Sequence, residues 1–243
     1  MFAHGYGCDQ KMWRRVAPSF EGDFRVVLFD YVGSGQSDTS AFSRGRYSSL
    51  GGYAADVIEI IDEMNLGKVV FVGHSVSSMI GALAAIERPD LFENIVMIGP
   101  SPSYINDGSY IGGFERSDIE DLLELLDNNH LGWAAMMAPV IMGNPDQPEL
   151  AAELEASFCN TDPLHTQHFA RVTFLSDNRS DLPRLLTRTL ILQCAEDAIA
   201  PAAVGQYVHD CLPDSQLVMM EATGHCPHLS SPGPVTEAIR AFI

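Results

Sequence analysis

Three residues far apart in the chain have the types and surroundings that acyl transfer needs: Ser75, Asp197 and His225. A serine hydroxyl is a weak nucleophile at neutral pH. It requires a histidine base, a carboxylate to orient that base, and N–H donors for the oxyanion that forms on attack. Ser75 lies within Gly73-His74-Ser75-Val76-Ser77, between the apolar run Val69-Val70-Phe71-Val72 and the helix-like residues 78–86. A strand, a sharp turn and a helix in that order hold a serine in a strained conformation with its hydroxyl exposed. The last position departs from G-x-S-x-G, since Ser77 stands where that pattern has glycine. Serine adds only a small side chain there, so the turn is expected to survive with slightly altered packing.

The other two members follow in the order that a serine elbow of this kind requires, acid and then histidine, each after a predicted strand. Asp197 follows residues 189–194 and His225 follows residues 216–221. Glu196 is the adjacent rival acid, and either carboxylate has a solvated-loop alternative. His228 is the rival base within Gly224-His225-Cys226-Pro227-His228, where the glycine–histidine step favours His225. The same cluster invites a metal, but no second cluster supplies the remaining ligands of a structural zinc, so neither metal nor cofactor is expected. His74 reads as structural, its side chain directed away from the nucleophile, and Cys8 and Cys226 read as inert small hydrophobes. For the oxyanion, His4-Gly5-Tyr6-Gly7 has the form of an H-G-x-G loop, which offers the backbone N–H of Tyr6 beside that of Val76. An ordinary glycine turn is the plain alternative. The glycines of residues 33–35 imitate a phosphate loop but lack the Walker lysine.

Positioning such residues requires a rigid sheet. Short β-rich runs recur at residues 1–4, 26–29, 69–72, 95–98, 190–192 and 217–220, mostly as continuous apolar runs. Strands buried on both faces read this way, and residues 53–64 between them place Ala54, Val57, Ile58, Ile61 and Met64 at helical spacing. The chain is therefore predicted to be an α/β protein, a mostly parallel sheet flanked by helices. From about residue 113 to 176 the strand signals stop and helical ones follow in series. That division gives a core of residues 1–112 and 177–243 and a helical lid of residues 113–176, with Gly112-Gly113 and the polar residues 176–180 as its boundaries. The start is abrupt: Met1 already lies in a strand, so the sequence reads as beginning at an internal methionine.

With 46% hydrophobic residues among 243, the chain can bury a large core. Its formal net charge of -18 disfavours nucleic acid and anionic membrane surfaces as partners, because both are bound through Lys and Arg. The apolar stretch around residues 133–142 contains Pro139 and falls short of the roughly 20 residues a membrane span needs. The 5 cysteines are odd in number and scattered without C-x-x-C spacing, which points to a reducing cytoplasm.

Taken together these segments resemble an α/β-hydrolase family that includes the bacterial stress regulator RsbQ and the plant karrikin and strigolactone receptors. Residues 1–10, 29–35, 99–102, 112–115 and 224–228 are similar to RsbQ, and Gly-His-Ser-Val-Ser at the elbow is similar to the plant receptors. Asp197 opens Asp-Ala-Ile-Ala-Pro201, similar to the D-x-x-x-P found after this strand in the family. The resemblance implies a four-helix lid inserted after the sixth family strand, an N-terminal hairpin missing before Met1, and a mostly apolar pocket over a Ser75–Asp197–His225 triad. By position, Tyr6, Tyr104, Phe114, Leu122, Trp133, Met137 and Phe174 look like pocket lining, with plain lid and core packing as the alternative. It further implies slow hydrolysis of a small apolar ester, lactone or enol-ether ligand, and a PAS-domain phosphatase as protein partner. A non-catalytic ligand-sensing regulator and a metabolic C–C or lactone hydrolase without a partner are the competing functions.

Overall fold

The computed structural model describes residues 1–243. Five strands, β1 (Phe2–Ala3), β2 (Val69–His74), β3 (Phe92–Ile98), β4 (Thr189–Glu196) and β5 (Ser215–Thr223), form one parallel sheet whose spatial order is the chain order. Register runs from Phe71 opposite Ile95 to Ile98 opposite Leu192 and Cys194 opposite Met220. Phe71, Val72, Ile95 to Ile98 and Leu190 to Leu192 are buried, which explains their unbroken apolar sequence: both sheet faces are covered.

Parallel neighbours require crossovers, and the helices supply the cover. Helix α1 (Leu50–Glu63) starts at Ser49, whose side chain accepts from Gly51 N, and buries Tyr53, Ala54, Val57 and Ile61 on one face. Helix α2 (Val76–Glu87) follows the elbow and is buried nearly all round, with Gly81, Ala82, Ala84 and Ala85 allowing close approach. Helix α7 (Ala202–Cys211) joins β4 to β5, and α8 (Pro227–Ser230) and α9 (Pro232–Phe242) close the chain.

Between β3 and β4 the chain is helical: α3 (Arg116–Asn128), α4 (His130–Met142), α5 (Pro148–Cys159) and α6 (Pro163–Phe174). Each start carries a local signal. Glu115 and Asp118 make a capping box, the Asn129 side chain accepts from Gly132 N at 2.9 Å, and α5 and α6 begin with proline. Inward faces repeat at intervals of four, with Ile119 and Leu123 on α3, Trp133 and Met137 on α4, and Leu150, Leu154 and Phe158 on α5.

Residues 26–29 differ from expectation. They form no regular strand and contribute one bridge, Phe2 with Leu28, and a 2.9 Å hydrogen bond from Phe2 N to Val27 O. Their neighbour β1 is only 2 residues long, so there is no further ladder to join. No helix is long and apolar enough to cross a membrane.

Candidate active site

Ser75 stands at the carboxyl end of β2, where the chain turns into α2, with φ 57° and ψ -124°. A non-glycine residue there is strained, and the surroundings hold it in place. Ser75 N donates to Ile98 O at 2.8 Å, and Ser78 Oγ donates to Gly73 O at 3.1 Å. Gly73 is obligatory: a Cβ would lie 2.5 Å from Ser77 O, so any side chain would push helix and strand apart.

The loops after β4 and β5 bring the other two groups to the same end of the sheet. His225 Nε2 lies 2.8 Å from Ser75 Oγ and His225 Nδ1 lies 2.7 Å from Asp197 Oδ2. The other carboxylate oxygen of Asp197 accepts from Ile199 N at 2.8 Å and Ala200 N at 3.0 Å. All three residues are buried, whereas Glu196 is exposed and does not meet His225. With Nδ1–H donated to the carboxylate, Nε2 is left as the acceptor for the serine proton. The helical insert takes part in this alignment. His225 N donates to Ile141 O at 2.8 Å, Asn144 Nδ2 donates to Thr223 O at 3.0 Å, and a Cβ at Gly224 would land on the Met142 carbonyl.

Tyr6 N and Val76 N, in the loop after β1 and at the start of α2, find no acceptor within the chain. The loop carrying Tyr6 is fixed by two side chains that sequence reasoning undervalued. His4 Nδ1 donates to Gly5 O at 2.8 Å while its Nε2 accepts from Tyr31 N at 3.1 Å, which requires a neutral ring; burial lowers its pKa accordingly. Ser77 Oγ donates to His4 O at 2.5 Å and shares a 3.0 Å hydrogen bond with the Tyr31 hydroxyl. Thus the residue that breaks the pentapeptide pattern ties helix α2 to the Tyr6 loop.

His74 supports the base. Its Nε2 faces the His225 carbonyl oxygen at 2.8 Å and must therefore be the donor. Burial, and then the neighbouring His228 and His225, hold His74 far below the usual histidine range, so the ring stays neutral. Potential ligand atoms of His74, Cys226 and His228 lie within 4.8 Å of one another, a grouping in which the sequence showed only the last two. His74 Nε2 is already committed to the carbonyl. Burial pushes the Cys8 thiol up to about 12 and Cys226 well above its usual range, so neither is a thiolate at neutral pH.

Beside Ser75 lies a small cavity of about 30 Å³, lined among others by Tyr6, Met137, Phe174 and His225. Trp133 and Tyr104 do not line it. Trp133 packs edge-on to Tyr6 and Phe158 at 5.8 and 5.2 Å, and Tyr104 packs on Phe174 at 5.1 Å. Phe114 and Leu122 also lie off the cavity: Phe114 is drawn to Tyr104 O by its backbone N–H at 3.1 Å, and Leu122 is half-buried on α3. Their places are taken by Leu154, Phe158, Ile141 and Thr173 from the inserted helices, whose facing depends on how those helices cross, and by Ile199 and Cys8 from the loops after β4 and β1. A larger groove of about 320 Å³, bounded by Phe2, Phe20, Val69 and Ile239, lies at the amino ends of the strands, away from Ser75.

Residues 1–238 match the family described as the Alpha/beta hydrolase family. This chain belongs to the α/β-hydrolases. Among curated proteins it is 39% identical over 244 residues to Karrikin insensitive 2 receptor CA of Petunia hybrida, covering 100% of this chain and 90% of that one. It is 36% identical over 239 residues to Strigolactone esterase D14 of Arabidopsis thaliana, covering 98% of this chain and 89% of that one. Among solved structures, olei00960, a hydrolase from Oleispira antarctica, superposes with a TM-score of 0.97 at 48% identity, covering 99% of this chain and 89% of that one. The expected family is therefore the right one, and this α/β-hydrolase carries a Ser-His-Asp triad under a helical insert.

Proposed function

We propose that this α/β-hydrolase is a slow serine hydrolase of a small ester, lactone or enol-ether ligand, and that cleavage serves signalling. The observation that carries the reading is the continuous relay from Ser75 Oγ through His225 to Asp197 beside two uncommitted backbone N–H groups. Ser75 Oγ attacks the ligand carbonyl while His225 Nε2 takes its proton, and the Asp197 carboxylate stabilises the imidazolium. The N–H groups of Tyr6 and Val76 receive the oxyanion, each such donor contributing about 3 kcal/mol to the transition state. On collapse the leaving oxygen takes the proton from His225, and water repeats the sequence on the acyl-enzyme.

In this reading residues 113–176 act as the lid and residues 1–112 and 177–243 as the core. A cavity of about 30 Å³ holds little more than a water, so the lid must open for each ligand, which favours slow turnover. The signalling role is supported by the likeness to a plant protein named as a receptor, and the RsbQ-like segments of the sequence make a cytoplasmic PAS-domain phosphatase the partner to test. The test is hydrolysis of p-nitrophenyl acetate by the purified protein. Activity is expected to vanish in Ser75→Ala, and an unchanged rate in that variant overturns the assignment.

A further inference from the structure

Most buried hydroxyls in this protein are spoken for. Tyr31, Tyr47 and Tyr110 pair with Ser77, Asp56 and the Ser103 carbonyl at 3.0, 3.0 and 2.6 Å. Thr189 Oγ1 donates to Thr187 O at 2.8 Å. Three hydroxyls are different: Tyr6 Oη, Tyr104 Oη and Thr173 Oγ1 are buried and have no partner. Their residues are 8%, 1% and 1% exposed, so bulk water does not serve them either. Leaving a buried donor unpaired is costly, and native proteins seldom tolerate it without a reason.

Two of the three orphans belong to residues that line the cavity at Ser75, and the third lies beside it. Tyr6 and Thr173 line the cavity that holds Ser75, and the Tyr104 hydroxyl comes close to the Ser75 side chain without the geometry of a hydrogen bond. Phe174, next to Thr173, separates the two tyrosine rings, with centroids 5.5 Å from Tyr6 and 5.1 Å from Tyr104. Burial pushes the Tyr104 phenol up to about 12 and that of Tyr6 well above its usual range, so both carry a proton at neutral pH and can donate. Unpaired donors on and beside a mostly apolar cavity call for an acceptor from the ligand.

We propose that Tyr104, Tyr6 and Thr173 form a hydroxyl rim over Ser75 that selects compact substrates bearing an additional oxygen acceptor, a ring ether or second carbonyl, beside the carbonyl to be cleaved. This rests on the hydrolase reading above and narrows its substrate class: the pocket is not purely apolar. Tyr6 serves twice, through its backbone N–H at the oxyanion and its phenol at the rim. A hydrocarbon ester of the same shape leaves the three donors unpaired and forfeits the selection.

The test uses two esters that differ by one ring atom, p-nitrophenyl tetrahydrofuran-2-carboxylate and p-nitrophenyl cyclopentanecarboxylate, each corrected for its alkaline hydrolysis rate. One net hydrogen bond corresponds to about a tenfold preference in kcat/KM for the oxygen-containing ester. That ratio is expected to fall toward one across Tyr104→Phe, Tyr6→Phe and Thr173→Val, whatever happens to the absolute rates. A corrected ratio of one in the unaltered protein, or a preference that survives all three changes, overturns the inference. The binding arm is independent of turnover: Ser75→Ala protein should bind tetrahydrofuran-2-carboxamide about tenfold more tightly than cyclopentanecarboxamide by calorimetry, and equal affinities overturn the rim. Hydrolysis that persists in Ser75→Ala overturns the hydrolase reading instead. Thermal melting controls for folding, since deleting an unpaired hydroxyl should leave the melting temperature level or raise it.

Discussion

Removing one oxygen atom, in Ser77→Ala, tests whether the unusual residue of the elbow holds the oxyanion loop. Ser77 is 0% exposed and Tyr31 1% exposed, so the groups they satisfy cannot turn to water. Without Ser77 Oγ, the His4 carbonyl loses its 2.5 Å donor and the Tyr31 hydroxyl loses its 3.0 Å partner. Each stranded group costs about 1–3 kcal/mol, against a gain of about 0.5 kcal/mol from alanine in a helix. The expected net destabilisation is about 1.5–5.5 kcal/mol, read from urea unfolding with an unchanged m-value. In a chain of this size it lowers the melting temperature by roughly 3–20 °C. Adding Tyr31→Phe removes the stranded phenol, so the double variant should recover at least about 1 kcal/mol relative to additivity. Turnover should fall too, because the loop carrying Tyr6 N–H is no longer tied to α2. A cost below about 0.5 kcal/mol with strict additivity refutes the bridge as a tether.

Two further outcomes follow from the site. In Asp197→Asn the amide can still accept from Ile199 N and Ala200 N, but its NH2 faces His225 Nδ1 and forces the proton onto Nε2, which then donates to Ser75 instead of accepting. Activity on p-nitrophenyl acetate should fall by up to about 10⁴-fold with the fold intact, and a loss below tenfold contradicts the orienting role. Acid should unfold the protein early. His228 is held down to about 3 by burial against an ordinary value of 6.5, so the unfolded chain binds the extra proton between these values and stability drops as pH falls. At pH 5 His228 alone accounts for about 2 kcal/mol, and buried His4 and His74 act in the same direction. Denaturation curves at pH 7 and pH 5 with equal midpoints contradict this.

The triad was legible because each member sits at the end of a strand whose apolar run marks it in one dimension. The helices of the insert were legible for a similar reason, as the spacing of Leu150, Leu154 and Phe158 declares a buried face. What stayed hidden depends on pairs remote in sequence. Ser77 meets a carbonyl 73 residues away and a phenol 46 residues away, and nothing local marks either partner. Thr173 precedes Phe174 and reads as one more polar position on an amphipathic helix, yet it faces the cavity. Residues 26–29 have the composition of a strand, but composition cannot report that the neighbouring strand is too short to pair with them.

His225 is suspended from the roof of its own cavity, through Ile141 O and the close approach of Met142 to Gly224. A base aligned by the roof loses that alignment when the roof lifts. In the hydrolase proposed above, a ligand larger than the roughly 30 Å³ space can enter only if the helical insert moves, and movement of α4 would also release the contact that sets His225. Admission and bond cleavage would then fall at separate moments, with the return of α4 to His225 between them.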